Sequence, residues 1–491
     1  MNEVVPIPTE EGLPLDEPEP RVLSGDLTQG PILKTLLLFS GPTLLSNVLQ
    51  SVNGSINSIW VGRLIGESAL AATANANLVM FLLFAAVFGF GMATTVRVGQ
   101  HFGARDIDAA RLTFGNGLGF CTGLALVAAV AGWFISPALL HVLGTPPASM
   151  AQALAYLRVV FVTMPLSTIS MIISMGLRGA GNSRSPLHAM ILTVALDVIL
   201  NPLLIRGLGP IPAFGIAGSA AATGIANLGG SAWMLRTLYR LDLRLRLRGH
   251  ELGYLIPRRR ELGYVLGKGL PMGAQMLLVA SAGLFMIGLV NREGLNAAAA
   301  YGASLQLWNY LQMPAFAIGS AVSAMVAQNV GAGNHRRVGE VTRVGLVANL
   351  AFSSAVAALI VIFDRPLLAL FLGGGSPALP VAEHIQLICT ASFVIMGVTM
   401  ILVGTMRAYG AVIAPLLIMF LAFYPGRLGF YALAHPLIGS EAVWWAYPAG
   451  STVSALLTTL YYLRGGWRRD VARKARALAA SELEGGYASA K

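Results

Sequence analysis

Twelve apolar runs follow one another along the chain, at about 33–59, 70–96, 114–136, 152–175, 186–206, 214–240, 263–290, 297–326, 342–363, 382–404, 411–432 and 441–463. A helix needs about 20 residues to cross a ~30 Å hydrocarbon layer, and every run has that length. No soluble core could bury twelve such segments in series. The chain is therefore expected to be an all-α integral membrane protein with twelve transmembrane helices. Composition agrees: 11% of the 491 residues are charged and the mean hydropathy is +0.69, whereas a soluble domain carries ~25% charge. The only cysteines, Cys121 and Cys389, lie in separate apolar runs, which excludes a disulfide framework and a Cys-based metal site. Residues 1–29 read as a disordered cytoplasmic tail, with seven carboxylates before residue 27 and no basic, apolar signal peptide.

The formal charge of +11 is distributed by loop. Arg105, Arg111, Arg178, Arg184, Arg336, Arg337 and Arg407 follow even-numbered runs, and six arginines fall in 241–262. The intervening loops hold little beyond Arg63, Arg206, Arg292 and Arg365. A cytoplasmic excess of basic residues then puts both termini in the cytoplasm of a bacterial-type plasma (inner) membrane. The positive charge is a topology signal, so no nucleic acid partner is expected.

The chain also repeats itself. Gly41-Pro42 returns as Leu270-Pro271, Gln100-x-x-Gly-Ala104 as Gln328-x-x-Gly-Ala332, and Arg178-x-x-Gly181 as Arg407-x-x-Gly410, at a constant offset of 228–229. Each half holds six spans. Six is even, so both halves enter the bilayer in the same sense, related by a pseudo-two-fold along the membrane normal. The expected divisions are an N-terminal six-helix lobe at 30–240, a cytoplasmic linker at 241–262, a C-terminal six-helix lobe at 263–465 and a basic cytoplasmic tail at 466–491.

Several segments carry a family resemblance. Val61-Gly-Arg-Leu64 with Leu70-Ala-Ala72, Gln100-x-x-Gly-Ala104, Asn201-Pro-Leu-Leu-Ile205 with Gly215–Thr223, and Met313-Pro314 with Ala327–Gly333 together resemble the multidrug and toxic compound extrusion (MATE) family, the DinF-like branch in particular. The resemblance spans about residues 30–465. It implies two six-helix lobes around a V-shaped cavity and cation-coupled antiport of amphipathic organic cations by alternating access. A lipid-linked precursor flippase of the same superfamily is the alternative. The DinF-like pattern has an Asp where this chain has Asn57, and Asn before Asp in span five where this chain has Asp197 before Asn201.

The residues themselves point to the same place. Asp197 lies mid-span, where a charge costs about 2.5–3.5 kcal/mol on insertion scales. Asn201 is one helical turn away. In span one, Asn47, Gln50, Asn53 and Asn57 form an amide stripe on one face. The offset maps Asn53, Asn57 and Asp197 onto Ala282, Met286 and Gly426, so polar machinery is expected in the N-terminal lobe only, with Asp197 its sole deeply buried charge. The expected cation-coupling set is Asp197, Asn201, Asn57, Asn53 and Thr223. One carboxylate favours proton exchange; Na⁺ held by Asp197, Asn201 and Asn57 is the second possibility. Asn47, Gln50, Gln275, Tyr431 and Trp308 are the expected substrate-cavity residues. No cofactor beyond H⁺ or Na⁺ is expected, the partners are small cationic drugs or toxins and membrane lipid, and a monomer is the default. There is no phosphate loop for ATP, no clustered catalytic set for an enzyme, and His435-Pro436 reads as an outer loop. The Gly115-x-Gly-x-Gly119 stretch lies within a span, where small residues serve close packing.

Overall fold

A backbone in lipid must satisfy its own hydrogen bonds, and the described residues form helices and no strands. The computed structural model describes residues 25–468 apart from 143, 146 and 208–211. The first lobe contains α1 (Ile32–Leu64), α2 (Glu67–Gly103), α3 (Ile107–Val142), α4 (Pro147–Gly179), α5 (Arg184–Arg206) and α6 (Gly215–Arg240). The second contains α7 (Arg259–Arg292), α8 (Leu295–Gly331), α9 (His335–Ile362), a short α10 (Asp364–Leu372) and α11 (Leu379–Ala408). Its eleventh span is broken into α12 (Ile413–Leu421), a π-helical turn (Ala422–Gly429) and α13 (Phe430–Ile438), and α14 (Glu441–Arg464) is the twelfth.

Ten of these spans are long and apolar enough to cross a membrane by composition alone. The other two are α6 and α14, the last helix of each half, with 26 and 24 residues. Both reach across a bilayer, but Gly, Ala, Ser and Thr dilute their hydropathy. Small residues let helices approach closely, and α6 packs along α5 and α4 as α14 packs along α11.

The two-fold is visible in individual bonds. Gln100 Nε2 on α2 donates to the Ala408 carbonyl across the lobe boundary (2.8 Å), and Gln328 Nε2 on α8 donates to the Gly179 carbonyl (3.1 Å). Adding 229 to Gly179 gives Ala408. The lobes are thus joined where α2 and α8 run into the Arg-bearing loops. Elsewhere Gly89 of α2 meets the backbone of Gly269 and Gly273 on α7, and a Cβ there would lie 2.3 Å from Gly273 N.

Three expectations change. Residues 25–29 are not a free tail: Leu27 is buried, its N–H donates to Gln328 Oε1 (2.8 Å), and Gly25 packs on the Ala180–Gly181 backbone. The rest of the expected N-terminal tail, and all of the basic tail beyond Arg468, lies outside the described residues. The linker gives its last residues to α7, which starts at Arg259, and it is seated rather than loose. Its 3₁₀ turn (Gly249–Leu255) lies on α3, where Arg111 pairs with Glu251 (2.8 Å) and Asn116 Nδ2 donates to Tyr254 O (3.1 Å). Gly115 and Gly119 form that seat, since a Cβ at Gly119 would come 1.8 Å from Leu255 O. Finally, His435 stands in the last turn of α13, not in a loop, 3.7 Å from Glu293.

Candidate cation-coupling site

Three helices of the first lobe meet at Asp197. On α5, Asp197 and Asn201 are four residues apart and both 0% exposed. On α1, Asn53 and Asn57 are also four apart, so two adjacent turns of each helix face one another. The small residues of α6 bring Thr223 in from a third side.

Asp197 Oδ2 accepts from Asn53 Nδ2 (2.6 Å) and Asn57 Nδ2 (2.8 Å). Its Oδ1 accepts from Asn201 Nδ2 (3.0 Å) and Thr223 Oγ1 (3.1 Å). Asn201 Nδ2 also donates to Asn57 Oδ1 (2.9 Å), and Asn57 Nδ2 stands 3.4 Å from Thr223 Oγ1. All four donors are neutral. A hydrogen bond to a charged group contributes about 1.5–3 kcal/mol, so four together exceed the ~2.5–3.5 kcal/mol cost of placing the charge in the membrane. The cage therefore solvates an ionised carboxylate without a counter-ion, and among the described residues no guanidinium or ammonium pairs with it. Swapping Asp and Asn along α5 has not displaced the carboxyl from the α1 amides.

Two atoms in the cage are unused. Asn53 Oδ1 and Asn201 Oδ1 are buried with no donor. Both are acceptors, the kind of atom that a cation or an acidic proton requires. Among the described residues no three His, Cys, Asp or Glu side chains gather to hold a metal. An ion at Asp197 would therefore find one carboxylate and otherwise amide and hydroxyl oxygens, a donor set that suits a hard monovalent cation.

The five residues expected around a substrate cavity are not brought together. Asn47 and Gln50 continue the α1 stripe, partly buried and exposed respectively. Gln275 is buried, donating to Val412 O (3.1 Å) and accepting from Arg407 Nη2 (2.8 Å). Trp308 is buried in the second lobe and donates to Gln386 Oε1 (3.0 Å). The Tyr431 ring lies 5.0 Å from that of His435.

The expectation of polar machinery in one lobe alone does not hold, nor does that of a sole buried charge. Arg427, in the π-helical turn of the eleventh span, is 7% exposed. Around it stand Tyr447 and Tyr301, whose hydroxyls share a hydrogen bond. The signal was available: Arg427 interrupts the apolar run 411–432 just as Asp197 interrupts its own. Arg158, an arginine within the fourth span, stacks on Trp133 at 5.1 Å.

The MatE family profile matches residues 42–203 and 271–430, one block in each lobe. The probable multidrug resistance protein YoeA of Bacillus subtilis is 33% identical over 88% of this chain and 93% of its own length. A second B. subtilis protein, the probable multidrug resistance protein YpnP, is 30% identical over 90% of this chain and 97% of its own. Among solved structures, a MATE transporter in the bent conformation superposes with a TM-score of 0.83 at 20% identity, over 91% of this chain and 98% of that one.

Proposed function

Because the chain belongs to the MatE family of multidrug efflux transporters, we propose that it exports amphipathic organic cations by alternating access, driven by a cation that binds at Asp197. A proton is the preferred coupling ion and Na⁺ the second. The observation that carries this reading is the Asp197 cage: a fully buried carboxylate held by neutral donors alone, with two unused acceptor oxygens beside it.

The cage is complementary to the ionised form. Protonation turns one carboxyl oxygen into a donor, which then faces an amide N–H. Rotating Asn53 or Asn201 about its last bond would present a carbonyl oxygen instead, so protonation and the seating of α1 against α5 are coupled. Na⁺ would be held by Asp197 with the Asn53, Asn57 and Asn201 carbonyl oxygens. A ligand moves such an equilibrium only by its difference in affinity for the two states. Loss of the charge at Asp197 supplies that difference on the ion side, and a cationic substrate that favours the ionised site supplies it on the other.

The lobe contacts at Gln100 and Gln328 lie at the end assigned to the cytoplasm, which fits a cavity open to the outside. In that state an outer cation reaches Asp197, displaces the substrate and permits the return stroke.

Purified protein in proteoliposomes should expel rhodamine 123 when a pH gradient is imposed without sodium, and D197N should abolish this while staying folded. Wild-type rates from D197N would refute the coupling role. A sodium gradient without a pH gradient separates the two drivers, and a labelled lipid-linked precursor in the same vesicles tests the flippase alternative.

A further inference from the structure

The second lobe carries its own unpartnered charge. Arg427 lies in the middle of the Ile413–Ile438 span, within the π-helical turn Ala422–Gly429. A π turn inserts extra backbone into a helix, and such turns recur at functional sites. Here Pro425 and Gly426 precede the arginine, and the offset of the internal repeat maps Asp197 onto Gly426, its immediate neighbour. Equivalent helices of the two lobes therefore place opposite charges at equivalent depth.

The surroundings of Arg427 supply aromatic faces and no acid. Its guanidinium lies 4.4 Å from the centre of the Tyr447 ring and 4.7 Å from that of Phe423. Gly450 on α14 makes room for it, since a Cβ there would come 3.1 Å from Arg427 Nε. Ring faces stabilise a cation but leave its N–H edge unused. Among the described residues no carboxylate pairs with Arg427, and its Nε is buried with no acceptor. At the far side of the same aromatic cluster, Gln386 is 0% exposed; its Oε1 takes hydrogens from Trp308 Nε1 and Thr390 Oγ1, while its Nε2 has no acceptor. Trp308 links the two groups, with its ring 5.2 Å from that of Tyr447. The unused atoms beside Asp197 are acceptors, whereas Arg427 Nε and Gln386 Nε2 are donors. A buried charge left in this condition calls for an anion.

We propose that Arg427 anchors an oxyanion subsite in the second lobe, which receives the carboxylate of an amphipathic aromatic substrate. In naming the substrate class this rests on the exporter reading; as a binding site it stands by itself.

Rhodamine 110 and rhodamine 123 share one cationic ring system and differ in a free carboxylate against its methyl ester. Their binding to the purified full chain in detergent, followed by fluorescence anisotropy, isolates the carboxylate. R427Q should weaken rhodamine 110 binding about tenfold or more and leave rhodamine 123 nearly unchanged, and R427K should recover part of the loss. On the unaltered protein, benzoate should displace rhodamine 110 and benzamide should not, an arm that does not depend on a variant folding. Equal losses for both dyes, unchanged rhodamine 110 binding in R427Q, absence of saturable rhodamine 110 binding to the wild type, or equal displacement by benzoate and benzamide would each overturn the proposal. Carboxylate discrimination without dye efflux in vesicles keeps the subsite and sinks the exporter; efflux without discrimination does the reverse.

Discussion

Gln100 and Gln328 make the same hydrogen bond from opposite lobes, one to Ala408 O and the other to Gly179 O. Their packing is reciprocal as well. A Cβ added at Gly103 would lie 1.8 Å from Gln328 O, and one added at Gly331 would lie 1.8 Å from Gln100 O. Both glycines are there because a backbone carbonyl of the other lobe occupies the space of a methyl group.

It follows that G103A or G331A should wedge the lobes apart at this end. Overpacking of this kind costs about 1–3 kcal/mol, and each 1.4 kcal/mol shifts a two-state population about tenfold. The readout is maleimide labelling of A327C, at a fully buried position that faces Gly99 across the seam, with native Cys121 and Cys389 also buried. Labelling should accelerate in either glycine variant, and an unchanged rate would mean that the seam is not held here.

Asn57 Nδ2 donates to Asp197 Oδ2 at 2.8 Å. N57D replaces that donor by an oxygen, and two carboxylates at this distance cannot both stay charged and bare. The variant should trap a proton between them or recruit Na⁺. We expect efflux at a fixed pH gradient to become dependent on added sodium, read as a several-fold stimulation absent from the wild type. Identical sodium responses would show that the α1 position does not shape ion choice.

Asn53 supplies the shortest bond to Asp197, 2.6 Å. N53A removes a donor that favours the charged carboxylate. With one of its four donors gone, the carboxylate is held less firmly against α1, and cation-driven efflux should fall several-fold in proteoliposomes while the protein stays folded. Wild-type efflux from N53A would contradict the role given to the amide cage.

The seat of the linker offers a test away from transport. G119V would push a side chain into Leu255 O, which a Cβ already meets at 1.8 Å. The 3₁₀ turn should lift from α3 at a cost of about 1–3 kcal/mol, and trypsin should cut sooner at Arg258–Arg260. Unaltered cleavage would show that the linker is held from elsewhere.

The twelve spans and their repeat were legible because hydrocarbon thickness and a constant offset leave few alternatives. The gathering of Asn53, Asn57, Asp197, Asn201 and Thr223 was legible for a related reason: side chains with unmet hydrogen bonds in a membrane have to find one another. Arg427 is legible as a charge inside the run 411–432; what the sequence does not show is the π turn that carries it into the core. Gln275 and Trp308 are among the expected cavity residues, but the sequence does not show that Arg407 and Gln386 engage them. The docking of the Gly25–Leu27 segment was illegible for a simpler reason. Its partners, Gln328 and the backbone near Gly181, are distant in sequence and come from different halves.

That last contact has a practical side. The segment from Gly25 to Leu27 is stitched to both halves at once, to Ala180–Gly181 in the first and Gln328 in the second. The proposed transport cycle parts the lobes at this end, so this stitch would then have to stretch or let go. A fusion inserted immediately ahead of Gly25 would load that contact directly, and a label elsewhere on the surface would leave it undisturbed.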